Sequence, residues 1–337
     1  MRAFVITAPG RAEVRDVPPP VAGEGEVVVE VERAGVCGTD AEFYSGEMEY
    51  IATGAAPYPI RIGHEWCGAV VEVGAGVDPG WLARRVTGDT MLGCTKCGRC
   101  RGGRQHLCED RYEIGLRGGW PGALAERLPV PVRALQPLPD TVDAAMGAMV
   151  EPGGNALRAV RAAALPPGGR LLVLGPGTIG LLVASIAAAQ GAEVHLLGKT
   201  PGSLAFARSL GFDRVWTADD VPALRYDAVV DASTGSEMPA LAADLVEPGG
   251  RAVFIGLSER PSLVDTRRLV LADVTAVGVL SASGGLAGAV DLYASGAVDP
   301  RPLVAATVGL DEVAAVLGGD RRPEWGDAPK VHVDPGM

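Results

Sequence analysis

The sequence predicts two structural classes in one chain: an α/β domain built on a doubly wound parallel sheet, and an irregular, mostly antiparallel β domain. Three observations carry this. At 337 residues the chain exceeds what one hydrophobic core ordinarily fills. Residues 1–150 read as short β-like runs broken by Gly and Pro. From about 151 onward, strand-like runs alternate with Ala- and Leu-rich helical ones, the order of a parallel sheet covered by helices.

In chain order, residues 1–16 read as a strand and a turn with no long apolar core, so no secretory signal is expected. Glu26–Val31, Ala69–Val73 and Leu128–Val132 follow as strands. The sharpest boundary lies near Glu151-Pro152-Gly153-Gly154. Beyond it come a strand at 171–175, a helix at 178–190, a strand at 193–198 and a helix at 203–211. A strand at 227–233, a helix at 238–246 and strands at 251–257 and 274–280 complete the alternation. The tail carries a helical piece at 311–317 and a strand at 330–335, which is free to return to the first domain.

Composition removes several classes. Hydrophobic residues make up 47%, enough to fill two cores, so general disorder is excluded. The net charge of −11 argues against nucleic acid, which calls for a basic face. No uninterrupted apolar run is long enough for a membrane span. A cytoplasmic location is the default, and there clustered cysteines point to metal or catalysis before disulfides. Of 30 basic residues only Lys96, Lys199 and Lys330 are lysines, so a lysine in a motif stands out.

Cys94, Cys97, Cys100 and Cys108 are spaced C-x2-C-x2-C-x7-C. Four thiolates so close in sequence can close a tetrahedral Zn2+ site with no open position, which makes it structural. An iron–sulfur cluster shares part of this spacing, but its fourth cysteine ordinarily comes from elsewhere. A second, open site is offered by Cys37 in GVCGTD, His64 and Glu65 in GHEWCG, and Glu151 in VEPGG. A thiolate, an imidazole and one or two carboxylates hold zinc and leave a position for water or substrate. Cys67, between Trp66 and Gly68, reads as a small packed thiol.

LLVLGPGTIG places Gly175, Gly177 and Gly180 in G-x-G-x-x-G between a strand and an apolar helix. That context sets a pyrophosphate on backbone N–H groups at a helix N-terminus, so Pro176, Thr178 and Ile179 join the binding turn. An NAD-selecting acid belongs at the end of the next strand, but Gly198-Lys199-Thr200 stands there. A missing carboxylate and a lysine favour NADP over NAD. By the rule that ligands bind at the carboxyl ends of strands, Ser233, Gly256, Leu280 and Ser281 should meet the ribose and nicotinamide.

Together these motifs, in this order and closed by KVHVDP, resemble the zinc-dependent medium-chain dehydrogenase/reductase family, in its polyol and sugar dehydrogenase branch. The resemblance implies a GroES-like catalytic domain over 1–150 and 290–337, interrupted by a Rossmann domain over 151–289. It implies a homodimer or homotetramer and a small-molecule alcohol or ketone substrate. It also implies one catalytic and one structural zinc, with Glu65 as a fourth ligand or a partner of the ligands. Thr39 would take the alcohol proton. Many relatives place a His five residues after the metal-binding Cys; here that position is Glu42, which would serve as the outer acceptor. This makes a threonine dehydrogenase a poorer match than a polyol, sugar or cyclitol dehydrogenase. An NAD-dependent threonine- or butanediol-type enzyme is the alternative, and a non-catalytic redox sensor a third reading. Phe43, Tyr44 and Trp66 are expected at the substrate pocket, with the 45–60 segment either a lid or a surface excursion.

Overall fold

The computed structural model describes residues 1–258 and 260–337. The chain opens with a hairpin, β1 (Arg2–Ala8) and β2 (Arg11–Asp16). Then come β3 (Glu26–Gly35), helices α1 (Gly38–Ser45) and α2 (Glu49–Ala52), β4 (Glu65–Val73), β5 (Arg85–Gly88) and β6 (Met91–Leu92). Helix α3 (Gly98–Arg101), β7 (Tyr112–Glu113), β8 (Arg127–Pro131), β9 (Leu135–Pro137) and α4 (Ala144–Ala148) follow.

Helix α5 (Val150–Ala163) leads into β10 (Arg170–Leu174), α6 (Thr178–Ala189), β11 (Glu193–Leu197), α7 (Pro201–Ser209), β12 (Val215–Trp216) and β13 (Tyr226–Asp231). Next are α8 (Met238–Leu245), β14 (Val246–Phe254), α9 (Thr266–Leu271), β15 (Thr275–Gly278) and α10 (Leu286–Ala294). The chain finishes with β16 (Val304–Val308), α11 (Val313–Leu317) and β17 (Lys330–Val333).

These elements form two units. One comprises Met1–Glu151, Leu303–Gly326 and Lys330–Met337; the other comprises Pro152–Pro302 and Asp327–Pro329. The first is built on a sheet ordered β16-β17-β3-β4-β5-β9, with β8 also on β3. Its neighbours are antiparallel except the β16–β17 pair. Val27, Val29 and Val31 alternate inward from β3 onto a core shared with Phe4, Phe43, Trp66 and Val333. The pairing of Gly35 with Glu65 across β3 and β4 sets the register on which one metal centre depends.

The second unit holds six parallel strands in the order β12-β11-β10-β13-β14-β15. The order reverses between β10 and β13, which opens a crevice at the strands' carboxyl ends. Helix α6 is almost wholly apolar and buried, from Gly180 to Ala187 apart from Ser185, because it covers a sheet of fully buried strands. Among the described residues, no helix is long and apolar enough to cross a membrane.

Candidate functional site

In the first unit the four cysteines converge. Their sulfurs lie within 4.8 Å of one another, with Cys94–Cys100 at 4.0 Å and Cys97–Cys108 at 3.9 Å. A tetrahedron with Zn–S near 2.3 Å spaces its sulfurs about 3.8 Å apart. The cage therefore fits zinc with almost no movement. Backbone N–H groups of Cys94, Cys97 and Cys100 each donate to a sulfur at 3.4 Å. That of Cys97 is foremost in holding the Cys94 thiol down to about 6. All six cysteines are free thiols.

The second centre is set at the end of β3, the start of β4 and the start of α1. Cys37 caps α1, and its N–H donates to Asp40 Oδ2 at 2.9 Å, which fixes the turn. The donor atoms of Cys37, His64 and Glu65 lie within 4.8 Å of one another. A soft thiolate, an imidazole and a carboxylate on buried strand ends are a donor set suited to Zn2+. Glu151 is buried in the first turn of α5 and stands outside this cluster of three.

Two residues that the motif reading passed over complete the surroundings. Asp40 is fully buried, with Oδ1 3.6 Å from His64 Nδ1. A carboxylate behind a ligand imidazole orients the ring and raises its basicity. Lys330 is also buried, and its Nζ donates to both Glu65 oxygens, at 2.8 and 2.7 Å, and to the Val36 carbonyl at 2.9 Å. The Glu65 carboxylate is thus held as one half of a buried ion pair. The rarity of lysine was the signal that could have drawn attention to Lys330. Thr39 Oγ1 lies 3.9 Å from Cys37 Sγ, at the mouth of the cluster. Glu42 is half-buried on α1, one turn farther on.

Three expectations for this region are corrected or decided. Phe43 and Trp66, expected at the substrate pocket, are fully buried in the core of the first unit. The 45–60 segment is docked: Tyr50 donates to the buried Glu113 carboxylate at 3.0 Å, and Tyr58 to the Phe43 carbonyl at 2.6 Å. Cys67 is buried, donates to the Ala144 carbonyl at 3.2 Å, and burial pushes its thiol up to about 12, so it is inert packing.

In the second unit the crevice holds a cavity of about 810 Å³. Gly175, Pro176, Gly177, Gly198, Lys199, Thr200 and Ser233 all line it. Thr178, Ile179 and Gly180 form the first turn of α6. Each glycine has a reason. Gly175 has φ +91°, which a side chain disfavours, and a Cβ on Gly180 would meet the Gly175 carbonyl at 1.9 Å. A Cβ on Gly177 would meet nothing within 4 Å, so the backbone there is open to a phosphate. At Gly198 a Cβ would meet Pro176 at 2.7 Å and Leu204 at 2.8 Å, so a side chain there would require one of them to shift.

The remaining strand-end residues are held by local contacts, and Leu280 is exposed. Gly256 packs against Ser233, and Ser233 donates through its hydroxyl and its N–H to the buried Asp231 carboxylate, at 2.7 and 3.0 Å. The carbonyls of Leu280 and Ser281 accept from Arg158.

Comparison with known proteins matches this geometry in both units. Residues 23–140 match the alcohol dehydrogenase GroES-like domain, and residues 178–295 match the zinc-binding dehydrogenase domain. The chain is 31% identical over 270 residues to an L-threonine 3-dehydrogenase from Mesorhizobium japonicum, covering 76% of each. Its fold superposes with a TM-score of 0.90 on a zinc-binding dehydrogenase from Sinorhizobium meliloti 1021 bound to NADP, at 27% identity and over 99% of each chain. An alcohol dehydrogenase from Thermus sp. ATN1 gives a TM-score of 0.89, with the same identity and coverage. The chain therefore belongs to the zinc-dependent medium-chain dehydrogenase/reductase family and is an NAD(P)-dependent alcohol dehydrogenase with a GroES-like and a Rossmann domain.

Proposed function

We propose that this enzyme interconverts a secondary alcohol of the polyol, sugar or cyclitol type and its ketone, with NADP favoured over NAD. The observation that carries the reading is the convergence of Cys37, His64 and Glu65 beside Thr39. Zinc at this site would be held by Cys37 and His64 with Glu65 beside them and Glu151 as the further carboxylate; it would supply Lewis-acid polarisation of the substrate oxygen, and a nicotinamide cofactor would supply hydride exchange. The chain's own residues do the rest. Asp40 fixes the His64 ring, and Lys330 fixes the Glu65 carboxylate beside the ligands. The Thr39 hydroxyl receives the alcohol proton, and the half-buried Glu42 carboxylate takes it outward. The Gly177 turn takes the pyrophosphate, and Lys199 and Thr200 take the ribose end. The Cys94, Cys97, Cys100 and Cys108 cage holds the structural zinc.

NADP is supported by the closed packing at Gly198 and by Lys199, and the Sinorhizobium relative was solved with NADP. The threonine dehydrogenase relative favours a second reading, an L-threonine-type substrate. Glu42 in place of the His weighs against it. Six free thiols are compatible with a reducing cytoplasm. The open edge of β15, with exposed Leu263, Val270 and Leu271 nearby, supports a homo-oligomer.

A screen of polyols, aldoses, amino-cyclitols and L-threonine, followed by absorbance of the reduced cofactor, tests the substrate. Turnover of a polyol or cyclitol well above L-threonine is expected. The reverse ranking would install the second reading, and silence of the zinc-loaded enzyme on all of them would favour a sensor. Metal analysis should give about two zinc per chain, falling to about one in Cys37→Ala.

A further inference from the structure

Beside the cofactor cavity lies a recess of about 250 Å³. Lys199 walls both, and Arg260 faces the recess from the loop after β14, opposite the Thr234–Glu237 turn. Neither cation has an ion-pair partner among the described residues.

The wall of the larger cavity is not otherwise basic. It includes Asp219 and Asp327. Asp327 presses on the first turn of α7, where a Cβ on Gly202 would meet its Oδ1 at 2.3 Å. A carboxylate already sits at the helix end that would otherwise attract an anion. One lysine facing three carboxylates, Asp219, Glu237 and Asp327, leaves no positive balance for a phosphate monoester, which carries a charge of about −1.5 to −2 at neutral pH. The pyrophosphate needs neither cation, because the backbone at Gly177 serves it.

We propose that Arg260 is a specificity-determining residue that reads the adenosine 2′-phosphate together with Lys199. The inference rests on the NADP reading above and extends it to a loop that the dinucleotide motif does not include. The guanidinium fork matches two phosphate oxygens, and Lys199 supplies a point charge from the other side. Glu237 lines both the recess and the larger cavity.

The test uses the zinc-loaded full chain. Dissociation constants for NADP and NAD are measured by nicotinamide fluorescence, and those for adenosine 2′,5′-bisphosphate and ADP by competition. Arg260→Gln should weaken NADP and the 2′,5′-bisphosphate roughly tenfold, with ADP and NAD within about twofold. Lys199→Gln should do the same. If the wild type prefers NADP and only Lys199→Gln removes the preference, the Arg260 assignment is overturned and the NADP reading stands. Equal weakening of all four ligands by Arg260→Gln would also overturn it, since that marks a structural effect. If the wild type binds NAD more tightly, the NADP reading fails and takes this one with it.

Discussion

The Glu65–Lys330 pair shows how much a single contact can decide. Both groups are buried, and removing one partner leaves an uncompensated charge. Lys330→Met should cost about 3–5 kcal/mol in urea unfolding, and adding Glu65→Gln should recover part of that loss. A double variant no more stable than Lys330→Met would show that the pair is not the source. Gly35 makes a second test. It faces Glu65 across the sheet, and a Cβ there would meet Glu65 Oε2 at 2.0 Å. Gly35→Ala should push the carboxylate off Lys330 and lower zinc content toward about one per chain, read by metal analysis. At this scale the sequence was legible where ligands share a short motif. The four cysteines were readable because residue type and spacing specify the chemistry; Cys37, His64 and Glu65 were picked from separate motifs together with Glu151, which the structure leaves outside their cluster. Lys330 was not, because it lies 265 residues from Glu65 and only the β17–β3–β4 pairing joins them. Asp40 stood inside a recognised motif, yet its role depends on a distance to His64 that no spacing reveals.

In the Rossmann half the longer apolar runs were easy to read, whereas β12, α9 and α10 had no counterpart in the sequence pattern. The strand at 171–175 and the helix at 178–190 fall within a residue of β10 and α6. The first unit was harder. Strands such as β6 and β7 have two residues each and are defined by a partner rather than by their own pattern. Strand β11 carries a polar cluster that its apolar neighbours hid. His195 Nδ1 accepts from the Trp216 indole at 3.1 Å, so its proton sits on Nε2, which donates to Glu193 Oε1 at 2.8 Å. This bond, with Arg170 next, holds the Glu193 carboxylate down to about 2. Because the folded value lies below the unfolded one, the stabilisation is present above about pH 4.3 and fades as pH falls toward 2. Glu193 is partly exposed, so water screens the effect to under about 1 kcal/mol. Denaturant curves of wild type and Glu193→Gln should therefore differ at pH 7 and draw together near pH 3. A gap that widens on acidification would contradict the linkage.

For the molecule as a whole, an edge strand and an exposed apolar group lie in the same stretch of chain. Strand β15 closes one side of the six-stranded sheet, and Leu263 and Leu271 are 90% and 88% exposed. Replacing Val270 and Leu271 together by Asp should shift the mass in light scattering to that of one chain, with zinc content unchanged. An unaltered mass would show that this face makes no subunit contact. Domain order is a further property of the whole chain. The Rossmann unit is inserted within the other, whose sheet needs β16 and β17 from the far end. During synthesis the inserted unit has its last strand, Thr275–Gly278, before the enclosing one has Lys330–Val333. Glu65 leaves the ribosome 265 residues ahead of Lys330, a wait of roughly 10–50 s at ordinary translation rates. Until then the Glu65 carboxylate lacks the partner with which it is buried in the folded chain. A chain that stopped short of β17 would keep every strand of the inserted unit and lack the buried counter-charge of Glu65.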